Sequence, residues 1–327
     1  MSVPLWLWIA TIVGLLALIA VDLVIVDRKP HEVTTGEAAR WVVFYISCAI
    51  LFGIGVFLFA GNHYGVQFFT GYITEYSLSI DNLFIFMVIM ASFKVPAIHQ
   101  HRVLLVGILL ALAMRSAFIA VGAALIAQFV WVFFVFGAVL VWTAASMVGR
   151  RDEDAEYREN AATRMVRKVF PVTGDYHGAK SFIKKDGKHW ITPMFVVIVA
   201  IGSADLLFAV DSIPASFGIT QEAFLVFTAN AFALMGLRQL YFLLGGLVTK
   251  LVYLSYGLAV ILAFIGAKLF LHALHEYHVV PDWLDINNWM SLGVIVVVLA
   301  VTTLLSLRKA KKTEALARTE ESVEASR

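Results

Sequence analysis

Cysteine is all but missing: Cys48 stands alone in 327 residues. No intrachain disulfide can form, and no cysteine-rich zinc site. Charge is scarce too, at 15% Asp, Glu, Lys and Arg, where soluble chains carry about 25%. There is no Gly-x-x-x-x-Gly-Lys loop and no soluble nucleotide-binding domain, so ATP coupling has no support. Basic residues are not interleaved with exposed aromatics on a soluble module, so nucleic acid is not a partner. What fills the chain instead is apolar: 61% hydrophobic residues and a mean hydropathy of +0.85. The lipid bilayer is the expected surrounding.

A helix needs about 20 apolar residues to cross a hydrocarbon core of roughly 30 Å. Nine stretches qualify, at about 4–26, 41–60, 72–93, 103–126, 129–148, 192–216, 222–244, 250–271 and 289–307. The first is too long for a cleaved signal peptide, lacks a positive start and ends in Asp27-Arg28-Lys29. The expected fold is therefore all-α, a polytopic membrane protein with nine transmembrane helices. Residues 1–148 carry five spans, 149–191 form a loop, 192–307 carry four spans and 308–327 form a tail.

Lysine and arginine fix the expected orientation. Twenty-two of the 25 lie after spans one, three, five, seven and nine, and none lies after spans two, four, six and eight. The other three, Arg115, Arg238 and Lys268, are inside spans. The N-terminus is thus expected outside and the C-terminus in the cytoplasm, with the spans in the plasma (inner) membrane. The 149–191 loop opens with RRDEDAEYREN, which suits a short solvated helix, and later carries Lys-Lys-Asp-Gly-Lys, which suits a small hairpin. The tail reads as polar and frayed, its basic start Arg308–Lys312 resting on the anionic leaflet.

Ionisable residues inside spans cost about 2.5–3.5 kcal/mol each at the centre, so they point to function. Here they come in two matched motifs. Span three holds Glu75, Asp81 and Asn82; span six holds Asp205, Asp211, Ser212 and then Pro214. In both, two carboxylates stand six residues apart with a small polar residue directly after. A lone arginine follows in the next span, Arg115 and then Arg238. Two three-span units, spans 3–5 and 6–8, would run in opposite directions. Such inverted repeats, with broken helices and a midplane site, are common in secondary transporters. Pro214 suits a break, since its missing N–H frees the carbonyl of Val210.

Six residues rise about 9 Å along a helix. Inverted symmetry therefore predicts two cross-repeat rungs, Glu75 with Asp211 and Asp81 with Asp205. Oxygen-only ligands suit hard divalent cations such as Mn²⁺, Mg²⁺ or Ca²⁺. Ser79, Ser203 and Asn230 could add neutral oxygens, and Arg115 and Arg238 would pair with carboxylates when no ion is bound. Asp22, near the end of the first span, is a further supporting candidate. The run His272, His275 and His278 beside Glu276 offers a weaker metal pattern, which a histidine-rich helix end at an interface also explains.

Three segments, EYSLSIDNLFIF (75–86), DLLFAVDSIPASF (205–217) and NAFALMGLRQLYFLLGGL (230–247), resemble the signature segments of the TerC family of bacterial integral membrane proteins. The resemblance runs through the transmembrane region, including Asp22-Leu. It implies nine spans in the plasma membrane, kinship with LysE-type exporters, and roles in tellurium resistance, alkaline response and manganese export. The family's acidic residues fall on Glu75, Asp81, Asp205 and Asp211. One departure is Ile201-Gly202-Ser203-Ala204, where many members carry a glutamate. The expected function is proton-assisted export of a divalent cation, Mn²⁺ first, with no resident cofactor and no enzyme activity. The competing expectation is a non-transporting scaffold in tellurite or envelope stress, acting through the 149–191 loop and the tail.

Overall fold

The computed structural model describes residues 3–26, 34–149, 161–176, 178, 180–185, 188–244, 253–281 and 286–324. The chain is mostly helical: α1 (Leu5–Val26), α2 (Thr35–Ala60), α3 (Asn62–Ser92), α4 (Ala97–Gln128), α5 (Val132–Gly149), α6 (Ala161–Val169), α7 (Pro193–Ile219), α8 (Ala223–Met235), α9 (Leu237–Leu244), α10 (Leu254–Glu276) and α11 (Asn288–Glu324). A hairpin of β1 (Phe182–Lys185) and β2 (Lys188–Ile191) precedes α7, as the Lys-Lys-Asp-Gly-Lys turn anticipates. The RRDEDAEYREN stretch at 150–160 lies outside the described residues.

Each expected span falls on a helix. Seven stretches among the described residues, the α8–α9 pair counted as one, are long and apolar enough to cross a membrane. Leu5–Val21 and Val132–Val148 are shorter apolar helices. Large apolar side chains such as Trp6, Leu58, Phe59, Trp142 and Leu304 remain exposed on the bundle, as a lipid-facing surface requires. The chain is a polytopic membrane protein.

Local chemistry sets the helix ends. Thr34 caps α2 by accepting from the Glu37 N–H at 3.3 Å, and Pro193 opens α7 where a missing N–H costs nothing. Helix α3 closes through Lys94, at φ 51°, with the Val95 N–H donating to Met90 O at 3.0 Å. Two expectations are corrected. The break does not fall at Pro214, through which α7 runs unbroken, but at Gly236 between α8 and α9. The tail is helical to Glu324, because its Lys, Glu, Ala, Leu and Arg are strong helix formers.

Packing is reciprocal. The acidic helix α3 packs chiefly on α8 and the acidic helix α7 chiefly on α4, while α3 and α7 also meet each other. Helix α5 barely touches α4, its neighbour in sequence, and packs on α10 instead. That pair meets through bare backbone. A Cβ added at Gly137 would come 3.0 Å from Gly266 O, and one at Gly266 would come 3.0 Å from Gly137 O. Close contact through glycine is what lets these two helices approach so nearly.

The two ends of the bundle differ. At one end the α6 and hairpin segment is fastened to α3 and α7. The Tyr176 hydroxyl donates to Phe93 O at 2.9 Å, Arg167 lies 5.6 Å above the Phe93 ring, and Phe182 packs on Phe195 with ring centroids 4.8 Å apart. The opposite end, at Asn62 and Ile219, holds a cavity.

Candidate functional site

Arg115 is the hub of the site. It projects from α4, is 1% exposed, and is flanked by the two acidic helices. Its Nε and Nη2 donate to Asp205 Oδ2 and Oδ1 at 3.2 and 3.0 Å, a two-point grip. Its Nη1 donates to Glu75 Oε2 at 3.2 Å. Glu75 takes two more donors, the Ser216 hydroxyl on Oε1 and Asn230 Nδ2 on Oε2 at 2.9 Å. Glu75 is 0% exposed and Asp205 1%. Charges so far from water need such partners.

Asp211 is half-buried and close enough to Arg115 and Glu75 to interact with both electrostatically. Asp81 is also half-buried and stands apart, accepting from the Ser255 hydroxyl at 2.9 Å on the first turn of α10. With Glu75, Asp205 and Asp211 ionised, three negative charges face the single positive charge of Arg115. The site therefore favours an added cation or proton over an anion.

The expected rungs are not what the structure builds. Glu75 meets Ser216 on α7 rather than Asp211, and Asp81 meets Ser255 rather than Asp205. The reason is helical phase. At about 100° per residue, a step of six turns a side chain some 120° off the starting face, whereas steps of seven and eleven return within about 20°. Asp205, Ser212 and Ser216 therefore share one face of α7, and Glu75 and Asn82 share one face of α3. The second carboxylates, Asp81 and Asp211, look sideways. The order in depth is as expected: Glu75 lies toward the cavity end and Asp205 toward the hairpin end, with Arg115 spanning the gap.

The neutral candidates divide. Ser79 Oγ, Ser212 Oγ and Asn230 Oδ1 are buried oxygens without a hydrogen-bond partner. Asn82 is buried on the Glu75 face. Ser203 donates to Val199 O and Ala200 O in its own helix. Arg238 is as buried as Arg115, yet none of the four carboxylates accepts from it; it lies beside Ile19, Tyr45 and Ile108. The side chain of Asp22 lies outside the described residues. Among the described residues no three His, Cys, Asp or Glu form a ready metal cage, the His272–His278 run included.

Sequence reasoning missed Ser216, Ser255, Gln67 and Thr220. Gln67 Oε1 accepts from the Thr220 hydroxyl at 2.7 Å, one turn beyond Ser216 on the cavity side. The signal for Ser216 was present in its eleven-residue spacing from Asp205; Ser255 had no comparable signal. Together these groups make a polar seam between α3 and α7, from Gln67–Thr220 through Glu75–Ser216 to Arg115–Asp205.

A polytopic bundle with two acidic helices bridged by one buried arginine is an integral membrane protein with a charged interior. The chain belongs to the TerC family of integral membrane proteins, whose pattern it matches over residues 60–314. It is 44% identical over 316 residues to the uncharacterized membrane protein Rv2723 of Mycobacterium tuberculosis, covering 93% of this chain and 79% of that one. It is 38% identical to the uncharacterized membrane protein STKORF319 of Myxococcus xanthus, covering 93% of each. It is 34% identical to the putative membrane-bound redox modulator Alx of Escherichia coli, covering 92% of this chain and 94% of Alx. No solved structure matches.

Proposed function

We propose that the chain is a secondary transporter that exports divalent cations, Mn²⁺ first among them, from the cytoplasm of a bacterial cell. The observation that carries this reading is the arginine bridge between buried Glu75 and Asp205 at the crossing of two acidic helices. The donors are oxygens, which suit a hard cation. In the state described, Arg115 holds the place of the ion. When it withdraws, Glu75 and Asp205 are left with the unpartnered oxygens of Ser212, Ser79 and Asn230 nearby, and Asn82 on the Glu75 face. Asp81 and Asp211 flank the route as the carboxylates that take up and release the ion. Protons moving inward would reset the site, since carboxylates inside membranes relay them readily.

The topology in this reading is nine spans with the N-terminus outside and the C-terminus in the cytoplasm. The hairpin end then faces the cytoplasm and the cavity end faces out. Spans 3–5 and 6–8 act as inverted repeats, a reading supported by the reciprocal packing of α3 on α8 and α7 on α4. Nucleic acid has no part in it, nor does enzyme chemistry. As for the redox name that some relatives carry, Cys48 alone cannot form an intrachain dithiol couple. A redox effect would follow from the metal balance that export sets.

The test is total cellular manganese, with magnesium, calcium, iron and zinc as controls. The strains are a deletion carrying empty vector, the wild-type gene, or Asp211→Asn, grown in added manganese. Manganese that falls with wild type and not with Asp211→Asn supports both the function and the site. Equal contents in all strains would overturn it.

A second reading, a non-transporting scaffold in tellurite or envelope stress, draws on the docking of Tyr176 and Arg167 onto the end of α3. It requires that Asp81→Asn and Asp211→Asn leave the phenotype intact while deletion of the 149–191 loop removes it.

A further inference from the structure

The cavity at the end opposite the hairpin has a volume of about 470 Å³. It is walled by the start of α3, the end of α7, the end of α10 and the start of α11. His63, Gln67, Thr220, Gln221, Glu222 and His272 line it. Lys268 stands on the far wall, where its ammonium donates to Asn288 Oδ1 at 3.0 Å and Ser291 Oγ at 3.1 Å. Six waters at about 30 Å³ each take less than half of this volume, so an ion enters with its hydration shell.

The cavity floor is one hydrogen-bonded layer. Thr220 donates to Gln67 Oε1, which leaves Gln67 Nε2 to donate to His63 Nε2 at 2.9 Å. Gln221 Nε2 pairs in the same way with His272 Nε2 at 2.7 Å. One turn beneath Thr220, Ser216 holds Glu75. Glu75 and Ser216 thus lie behind this layer, one turn of α7 farther from the cavity than Thr220. The hairpin end, in contrast, is covered by folded chain.

We infer that the cavity is the external port of the transport path for a hydrated divalent cation, and that the Gln67–Thr220 hydrogen bond is its gate. The inference rests on the exporter reading and adds to it a location, a direction of opening and a closing device. The gate is built of neutral donors and acceptors, so it opens by exchanging one hydrogen bond for two to water. Water competes for both partners, so the bond is weak in net terms and opens readily.

The experiment places single thiols at three depths, Gln221→Cys, Thr220→Cys and Ser216→Cys, each in full-length protein carrying Cys48→Ala. Right-side-out and inside-out vesicles are treated with a charged, membrane-impermeant maleimide, with and without Mn²⁺ as the probe cation. The expected result is modification of Gln221→Cys and Thr220→Cys from outside only. Ser216→Cys should react at least tenfold more slowly, and external Mn²⁺ should slow the reaction at Thr220→Cys where tetramethylammonium at equal ionic strength does not. Reaction of Thr220→Cys from the cytoplasmic side only, or at the rate of Ser216→Cys, overturns the port. Protection by phosphate rather than by Mn²⁺ overturns its assignment to cations. Labelling is read without transport, so a failure of export leaves the pattern interpretable, and a failure of the pattern leaves the metal-content test standing.

Discussion

The two arginines occupy matched places in the two halves and do different things. Arg115 lies eighteen residues into α4, and Glu75 lies seventeen residues before the end of α3. Arg238 lies fifteen residues past the start of α8, and Asp205 fourteen before the end of α7. Each arginine thus stands level with the first carboxylate of its own half. Arg115 nevertheless holds both first carboxylates, while Arg238 is turned toward α1, α2 and α4. Two matched motifs have produced an asymmetric site. In the exporter reading this is one of two related states, and Gly236, which interrupts the second half just before Arg238, marks where the halves part.

The largest expected effect comes from removing the hub. Arg115→Met strands two buried carboxylates and is expected to cost about 3–5 kcal/mol, seen as lost yield and a lower melting temperature in detergent. Arg115→Lys should not restore it, since an ammonium cannot reproduce the two-point grip. Adding Asp205→Asn to Arg115→Met should recover stability without recovering export. If Arg115→Met is as stable as wild type, the bridge is not what offsets the buried charge.

Ser216→Ala and Ser255→Ala sharpen the contrast between first and second carboxylates. The former removes one of three donors from fully buried Glu75, worth about 1.5–3 kcal/mol. The latter acts at half-buried Asp81 and should cost less than about 1 kcal/mol by the same thermal measurement. Arg238→Gln tests the asymmetry itself. The Arg115 bridge should survive in it while export slows about tenfold, or about 1.4 kcal/mol in the barrier. Unchanged flux in vesicles would mean Arg238 takes no part in the second state.

The smallest effect is at the covered end. Tyr176→Phe removes one hydrogen bond, about 1 kcal/mol, and should quicken proteolysis of the 171–191 segment. Burial holds the Tyr176 phenol above its ordinary pKa of 10.0. A raised phenol binds its proton more tightly in the folded state. Its contribution is therefore full below pH about 10 and is lost as pH rises through the folded value. Protease sensitivity of wild type should rise above pH 10, and that of Tyr176→Phe should not follow it.

Much of this was legible in the chain. Hydropathy gave every apolar helix, because a bilayer imposes one length and one polarity on all of them. The acidic motifs announced the site, because charge in a span needs a reason. Pairing was harder. Counting residues along the axis gave the depths of Glu75 and Asp205 but ignored rotation, so Ser216 was overlooked and Asp81 was given the wrong partner. The break at Gly236 was hidden because Pro214 looked the stronger interrupter. A proline removes one donor, and α7 packed on both flanks tolerates that loss. The choice of Arg115 over Arg238 is set by how the helices pack in three dimensions, and no spacing rule records it.

The meeting of Gly137 and Gly266 has a mechanical consequence. No side chain separates the two backbones at that point, so anything added there must push the helices apart or displace a neighbour. A Cβ at Gly266 would come 3.0 Å from both Gly137 O and Val141 Cγ2, and one at Gly137 would come 2.9 Å from the Phe270 ring. The glycine pair is therefore a spacing gauge that sets how closely α5 lies on α10. Gly266→Val would widen that gap without altering any of the four carboxylates.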